Sequence, residues 1–160
     1  MRQFEPTGDG SWMYLTSGVT EPAIQGVHEF VSRFVDPNQG WKFTGVRLRP
    51  RTPVQYVGFT VEEDVVAFDF KRHTPQGRVE NRSLYTDGFT WGYAGEGPRG
   101  LCKCLTTLCT IYVCPMSASL SDALWHWVRS RDRNQSYTLL SDAIPTFDFL
   151  KLGLKDMESP

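Results

Sequence analysis

Residues 89–100, Phe89-Thr90-Trp91-Gly92-Tyr93-Ala94-Gly95-Glu96-Gly97-Pro98-Arg99-Gly100, lead into an apolar run that begins at Leu101. They read as an aromatic strand, a glycine-rich turn and the first turn of a buried helix. Glycine fills four of the nine positions 92–100, and Pro98 lies among them. Such a backbone bends sharply and approaches a neighbour closely, either a ligand or an adjoining strand. Beyond the bend, Leu101, Leu105, Leu108, Ile111 and Tyr112 form one apolar stripe. The spacing predicts a helix over residues 99–113, stopped by Pro115.

On the N-terminal side, residues 1–10 read as a loose arm and residues 11–16 as a short strand. Thr20 reads as a helix N-cap, with Glu21 and Pro22 in the first turn, where an acid and a proline are both favoured. Ile24, Val27, Phe30, Val31, Phe34 and Val35 recur at helical spacing until Asp36-Pro37-Asn38 ends the helix. Trp41, Phe43, Val46 and Leu48 alternate with polar residues and predict a half-buried strand, with Gly45 as a bulge. Pro50-Arg51-Thr52-Pro53 should break that strand. A second is expected over 54–61, a turn at Glu62-Glu63-Asp64, and an antiparallel partner over 65–70. Residues 71–88 read as a long polar loop or irregular hairpin anchored by Leu84 and Tyr85. On the C-terminal side, Ser119 or Ser121 should cap a third helix reaching about residue 131, with Leu120, Leu124, Trp127 and Val128 inward. A short strand over 137–140, a helical turn over 141–144 and a loose end over 153–160 complete the chain.

These elements define an α+β class: a small, mainly antiparallel sheet of four or five strands with three helices packed on it. The length of 160 residues fits one domain, able to bury a sizeable core without staples. No apolar run reaches the roughly 20 residues of a membrane helix, and residues 1–20 lack the pattern of a secretory signal. The expected location is the cytoplasm.

Net charge is −1, which argues against a bulk nucleic-acid binder. The charge is uneven, however: residues 42–103 hold ten Lys and Arg against seven Asp and Glu, while residues 1–41 hold two against five. A mildly cationic middle suits a small anion or an acidic partner surface. Cys102, Cys104, Cys109 and Cys114 are spaced by one, four and four residues inside one predicted helix. Cys102 and Cys104 point to different faces, so buried free thiols fit better than zinc, and neither metal nor cofactor is expected.

Two stretches are candidate sites. At the glycine-rich turn, backbone N–H groups of Gly92, Gly95 and Gly97 at a helix start, with Arg99 beside them, form a natural anion cradle. The competing account is a tight strand-to-helix crossing in which glycine permits close packing. Neither a dinucleotide fingerprint nor a P-loop is present. The second stretch is Lys71-Arg72-His73 with Arg78 and Arg82, read as one loop after a strand, which with Arg47, Arg49 and Arg51 of a neighbouring strand end would line one basic rim. A solvated charged face is its plainer reading. Trp125 and Trp127 cannot both face the core from one helix, so Trp125 is expected to be exposed and is a candidate interface anchor. Catalytic motifs are absent, and no catalytic residue is assigned. An acid–base group, were there one, would join His73 to Asp69 or Glu96.

Residues 88–101 resemble an uncharacterised bacterial and phage domain family whose pattern is F-E-W-G-Y-G-G-S-G-P-A-Q-L-A-L. The resemblance extends from Tyr56 to Ile144, with Thr90, Ala94 and Glu96 in place of the acid, glycine and serine. It implies a setting among bacteria and their phages and brings no activity with it. The resulting expectation is a non-catalytic intracellular binding protein that inhibits host machinery, including defence systems, by occluding a partner. The alternative is a nucleotide or phosphate ligand, bound or turned over, at residues 92–100.

Overall fold

The alternation of Phe43, Val46 and Leu48 with Thr44, Arg47 and Arg49 decides which side of the sheet is buried. In the computed structural model, which describes residues 3–146, the apolar set faces a layer of three α-helices. The chain runs β1 (Glu5–Pro6), β2 (Ser11–Tyr14), α1 (Thr20–Phe34), β3 (Lys42–Tyr56), β4 (Phe59–His73), β5 (Val79–Thr86), α2 (Glu96–Tyr112), α3 (Ala118–Ser130) and β6 (Tyr137–Leu140). Short 3-10 turns occupy Pro37–Gln39 and Ser141–Thr146. The six strands form one sheet in the order β1-β2-β5-β4-β3-β6. Every pairing is antiparallel except β2 with β5, which is parallel.

Val46, Leu48, Val66, Phe68, Phe70, Leu84 and Leu139 from the sheet join Ile24, Val27, Phe30, Leu101, Leu105, Leu108, Leu124 and Val128 from the helices in one core cluster. Period-two alternation in the strands and 3.6-residue spacing in the helices thus meet across a single interface. Phe4 packs on Tyr14, Phe30 and Phe34, with centroids 4.8, 5.8 and 5.4 Å away. The N-terminal arm is anchored there within its first ten residues, while the expected loose end at 153–160 lies outside the described residues.

The α+β class and the three helices are as the sequence predicts, but the strands differ in number and limits. β3 runs through Pro50 and Pro53 without a break. Since β6 pairs only with Gly45, Val46, Arg47 and Leu48, β3 beyond Arg49 is an edge strand, where a missing N–H is tolerated. A register shift between Arg49 and Thr52 absorbs the first proline, with Arg51 in the left-handed region at φ 48°. The hairpin turns at Val57-Gly58, where Gly58 has φ 82°. Glu62 and Glu63 pair instead with Pro53 and Thr52 inside β4.

Residues 71–88 contain β5 rather than a loop. Its inward side chains are polar at one end, where Arg82 stacks on Trp41, 4.6 Å from the ring centre, beside Arg72 of β4 at 5.0 Å. A cation over an indole hides a strand from any hydrophobic count. Conversely, residues 89–93 are not a strand: Phe89 and Trp91 are fully buried as loop side chains. Helix starts shift too. Thr20 is the first residue of α1, not its cap, and its hydroxyl donates to the Gly88 carbonyl (2.9 Å). Ser117, not Ser119 or Ser121, caps α3, accepting from the Leu120 N–H at 3.1 Å.

Candidate functional site

Helix α2 begins at Glu96 with Gly95 as its N-cap, three residues before the predicted start. The partner that the glycine-rich turn approaches is protein. A Cβ at Gly97 would collide with the Thr90 side chain, and one at Gly100 with the Cγ2 methyl of Thr20 on α1. Gly92, at φ 86°, lies against the backbone of Arg131 and the side chain of Arg133. The Gly92 N–H donates to the Val128 carbonyl at 3.0 Å, and Trp91 Nε1–H donates to the Asp132 carbonyl at 3.0 Å. Residues 88–100 therefore fasten β5, α1 and the end of α3 together, with Gly97, Pro98 and Gly100 buried.

The stretch exposes Tyr93, Ala94, Glu96 and Arg99, and of these Arg99 faces α3. Its guanidinium stands 5.2 Å from the centre of the Trp125 ring on α3, and the Arg129 guanidinium lies 6.0 Å from the same ring. Between α2 and α3 runs an open groove of about 460 Å³ lined by Arg99, Cys102, Lys103, Thr106, Asp122 and Trp125. A second groove of about 420 Å³ lies on the other flank of α2, between Glu21 and Ile24 of α1 and Glu96 and Arg99. The predicted ligand residue Arg99 and the predicted interface residue Trp125 thus share one surface. Trp125 is half-buried, while its neighbour Trp127 is 7% exposed and packs in the core. Arg99, Lys103 and Arg129 belong to no ion pair among the described residues, although the carboxylates of Asp122, Glu21 and Glu96 line the same two grooves.

The expected basic rim is divided. Arg47 points away from the helices and is held by Asp69, with Nε and Nη2 2.8 and 2.7 Å from its two oxygens. The same guanidinium reaches the Tyr85 hydroxyl at 3.0 Å, and the Ser83 hydroxyl donates to Asp69 at 2.6 Å. This half-buried network raises the Arg47 pKa, chiefly through the Asp69 hydrogen bond. Arg72 turns to the helical side and pairs with Glu80 at 3.0 Å. Lys71 and His73 lie on the opposite side, near Lys42. Arg49 pairs in register with Val65, six residues along β4 from Lys71, about 20 Å at the rise of a strand. Arg51 is exposed at the bulge. Arg47, Arg49 and Arg51 are thus on the sheet, whereas Trp125 is on the helical layer. Asp69 and His73 are four residues apart on one strand, about 14 Å, and Asp69 is already bonded, so the two form no acid–base pair.

Sequence reasoning overlooked Asp87. It is 3% exposed and accepts from the Thr16 N–H (2.7 Å), the Thr16 hydroxyl (2.8 Å), the Gly18 N–H (3.3 Å) and the Tyr56 hydroxyl (2.8 Å). Burial, then the bond to Asp87, pushes the Tyr56 pKa upward. Burial followed by the Asp87 and Asp64 charges raises Glu63. With four donors, Asp87 is an anchor that ties the β3–β4 hairpin to the start of α1. A lone aspartate after a polar strand carries no sequence signal for this role.

No family model, curated protein or solved structure matches this chain. Among the described residues, no helix is long and apolar enough to cross a membrane, and no three His, Cys, Asp or Glu side chains group as metal ligands.

Proposed function

We propose that this chain is a non-catalytic binding protein of the cytoplasm that acts by covering part of a partner protein, which docks on the α2–α3 face. The observation that carries this reading is the placing of Arg99 and Arg129 over Trp125 at the mouth of an open groove. Tryptophan and arginine dominate the energetics of protein interfaces, because each offers a large, stiff surface with a polar edge. Unpaired Lys103 beside them suits an acidic partner segment. The resemblance of residues 88–101 supports a phage- or mobile-element-borne inhibitor of host machinery, including defence systems, as the setting.

A nucleotide or phosphate ligand cradled by residues 92–100 has less support. Gly97 and Pro98 are buried, Glu96 adds negative charge to the first turn, and the close approach of the glycines is to Thr90 and Thr20.

Affinity capture from a bacterial lysate with the wild-type chain, Trp125→Ala and Arg49→Ala tests the reading. A specific protein retained by wild type and Arg49→Ala and lost with Trp125→Ala is expected. Equal capture by all three, or a nucleotide that stabilises the chain through Arg99, would overturn it.

A further inference from the structure

We propose that Lys42, Lys71 and His73 form a binding site for a phosphate monoester on the sheet face opposite the helices. Lys42 and Lys71 are direct cross-strand partners in the β3–β4 ladder. Like charges placed directly opposite one another destabilise a sheet unless a counter-ion lies between them. Two other cations of these strands meet a carboxylate, Arg47 with Asp69 and Arg72 with Glu80, but neither lies directly opposite another cation. Neither Lys42 nor Lys71 has a carboxylate partner among the described residues.

The two lysines also line a cleft. Its volume is about 480 Å³, and His73, Thr44, Leu140 and Asp142 share its walls with them. A register shift between Phe43 and Gly45 displaces Thr44 from the ladder here and opens the strand end. Lys71 and His73, two residues apart on β4, face the same way about 7 Å apart, close enough for donors on both to reach one tetrahedral anion. Among the described residues, Asp142 is the one carboxylate lining the cleft, and it pairs with neither lysine, so their contribution to the lining is two lysines against one carboxylate. Leu140 is 55% exposed at the rim, and an exposed leucine beside cationic donors suits an organic body attached to the phosphate. The site is separate from the α2–α3 groove, which lies on the other side of the sheet.

The test is an amide NMR titration at constant ionic strength, first with inorganic phosphate and then with phenyl phosphate. Saturable shifts confined to residues 42–44, 71–73 and 140–142 are expected, with phenyl phosphate binding more tightly. Lys71→Ala and Lys42→Ala should each weaken binding by about tenfold, the effect of losing one charge-assisted contact. Lys103→Ala should change nothing. Shifts that never saturate, that appear equally around Lys103, or that survive both lysine substitutions would overturn the site. A dicarboxylate binding more tightly than phenyl phosphate would overturn the phosphate assignment.

Discussion

The Arg99 guanidinium, on the first turn of α2, stands 5.2 Å from the centre of the Trp125 indole on α3. The contact joins the glycine-rich stretch to the third helix on an open surface. A half-buried indole there contributes little to stability compared with the core indole two residues on. Trp127→Ala should cost about 3 kcal/mol or more, as for other large core truncations. Trp125→Ala, which removes a half-buried ring packed on the edge of the core, should cost clearly less, about 1–2 kcal/mol. Urea denaturation of both variants checks the contrast, and equal losses would place Trp125 in the core.

Gly100 should resist substitution for a reason that a second mutation can expose. A Cβ there meets Thr20 Cγ2, and the Thr20 hydroxyl is fixed by its bond to Gly88. Gly100→Ala should therefore cost roughly 1–3 kcal/mol through overpacking. Thr20→Ser removes the methyl and keeps the hydroxyl, so the double variant should be more stable than the sum of the two single losses. Strict additivity in chemical denaturation would show that the collision is not the cause.

Glu63 gives the fold a pH dependence of definite sign. Its pKa is raised, first by burial and then by the Asp87 and Asp64 charges. The stability linked to this group is therefore fully present below the ordinary glutamate range and is lost as pH rises through the raised folded value. Glu63→Gln, which never ionises, should raise Tm at neutral pH and lose that advantage in acid. A variant less stable than wild type at neutral pH would contradict this.

The four cysteines should differ in reactivity. Burial pushes the thiols of Cys102 to about 11 and of Cys104 and Cys109 to about 12, which suppresses the reactive thiolate. Cys114 is half-buried near the end of α2. Mass spectrometry after brief alkylation of the native protein should show Cys114 modified first, and all four modified only after denaturation.

The Arg47–Asp69 pair should show measurable coupling. Both side chains are 25% exposed, and the contact is two-pronged. A double-mutant cycle between Arg47→Ala and Asp69→Ala should return about 1 kcal/mol, the upper end for partly solvated pairs. A value near zero would mean that solvent screening cancels the geometry.

Legibility followed periodicity. Helix α1 could be read because Ile24, Val27, Phe30 and Val31 repeat at helical spacing, and all are buried. β5 could not, because three of its four inward positions, Glu80, Arg82 and Thr86, are polar, and Arg82 is covered by cation–indole stacking from segments distant in sequence. Phe89 and Trp91 misled in the opposite direction, since aromatic alternation marks a strand only where a partner strand exists. Of the candidate residues, Arg99 and Trp125 each stood out by type. Their meeting across 26 residues of chain did not.

The sequence alone determined the α+β class, the three helices and the bend at residues 92–100, because these depend on local spacing and on glycine's conformational freedom. Only the tertiary structure decided that β3 is continuous through Pro50 and Pro53 and β4 through Glu62-Glu63-Asp64, that Asp87 anchors Tyr56, and that the cationic residues divide between two faces. Those outcomes depend on register and on contacts between distant segments. A shift of one residue in pairing would send every such side chain to the other side of the sheet.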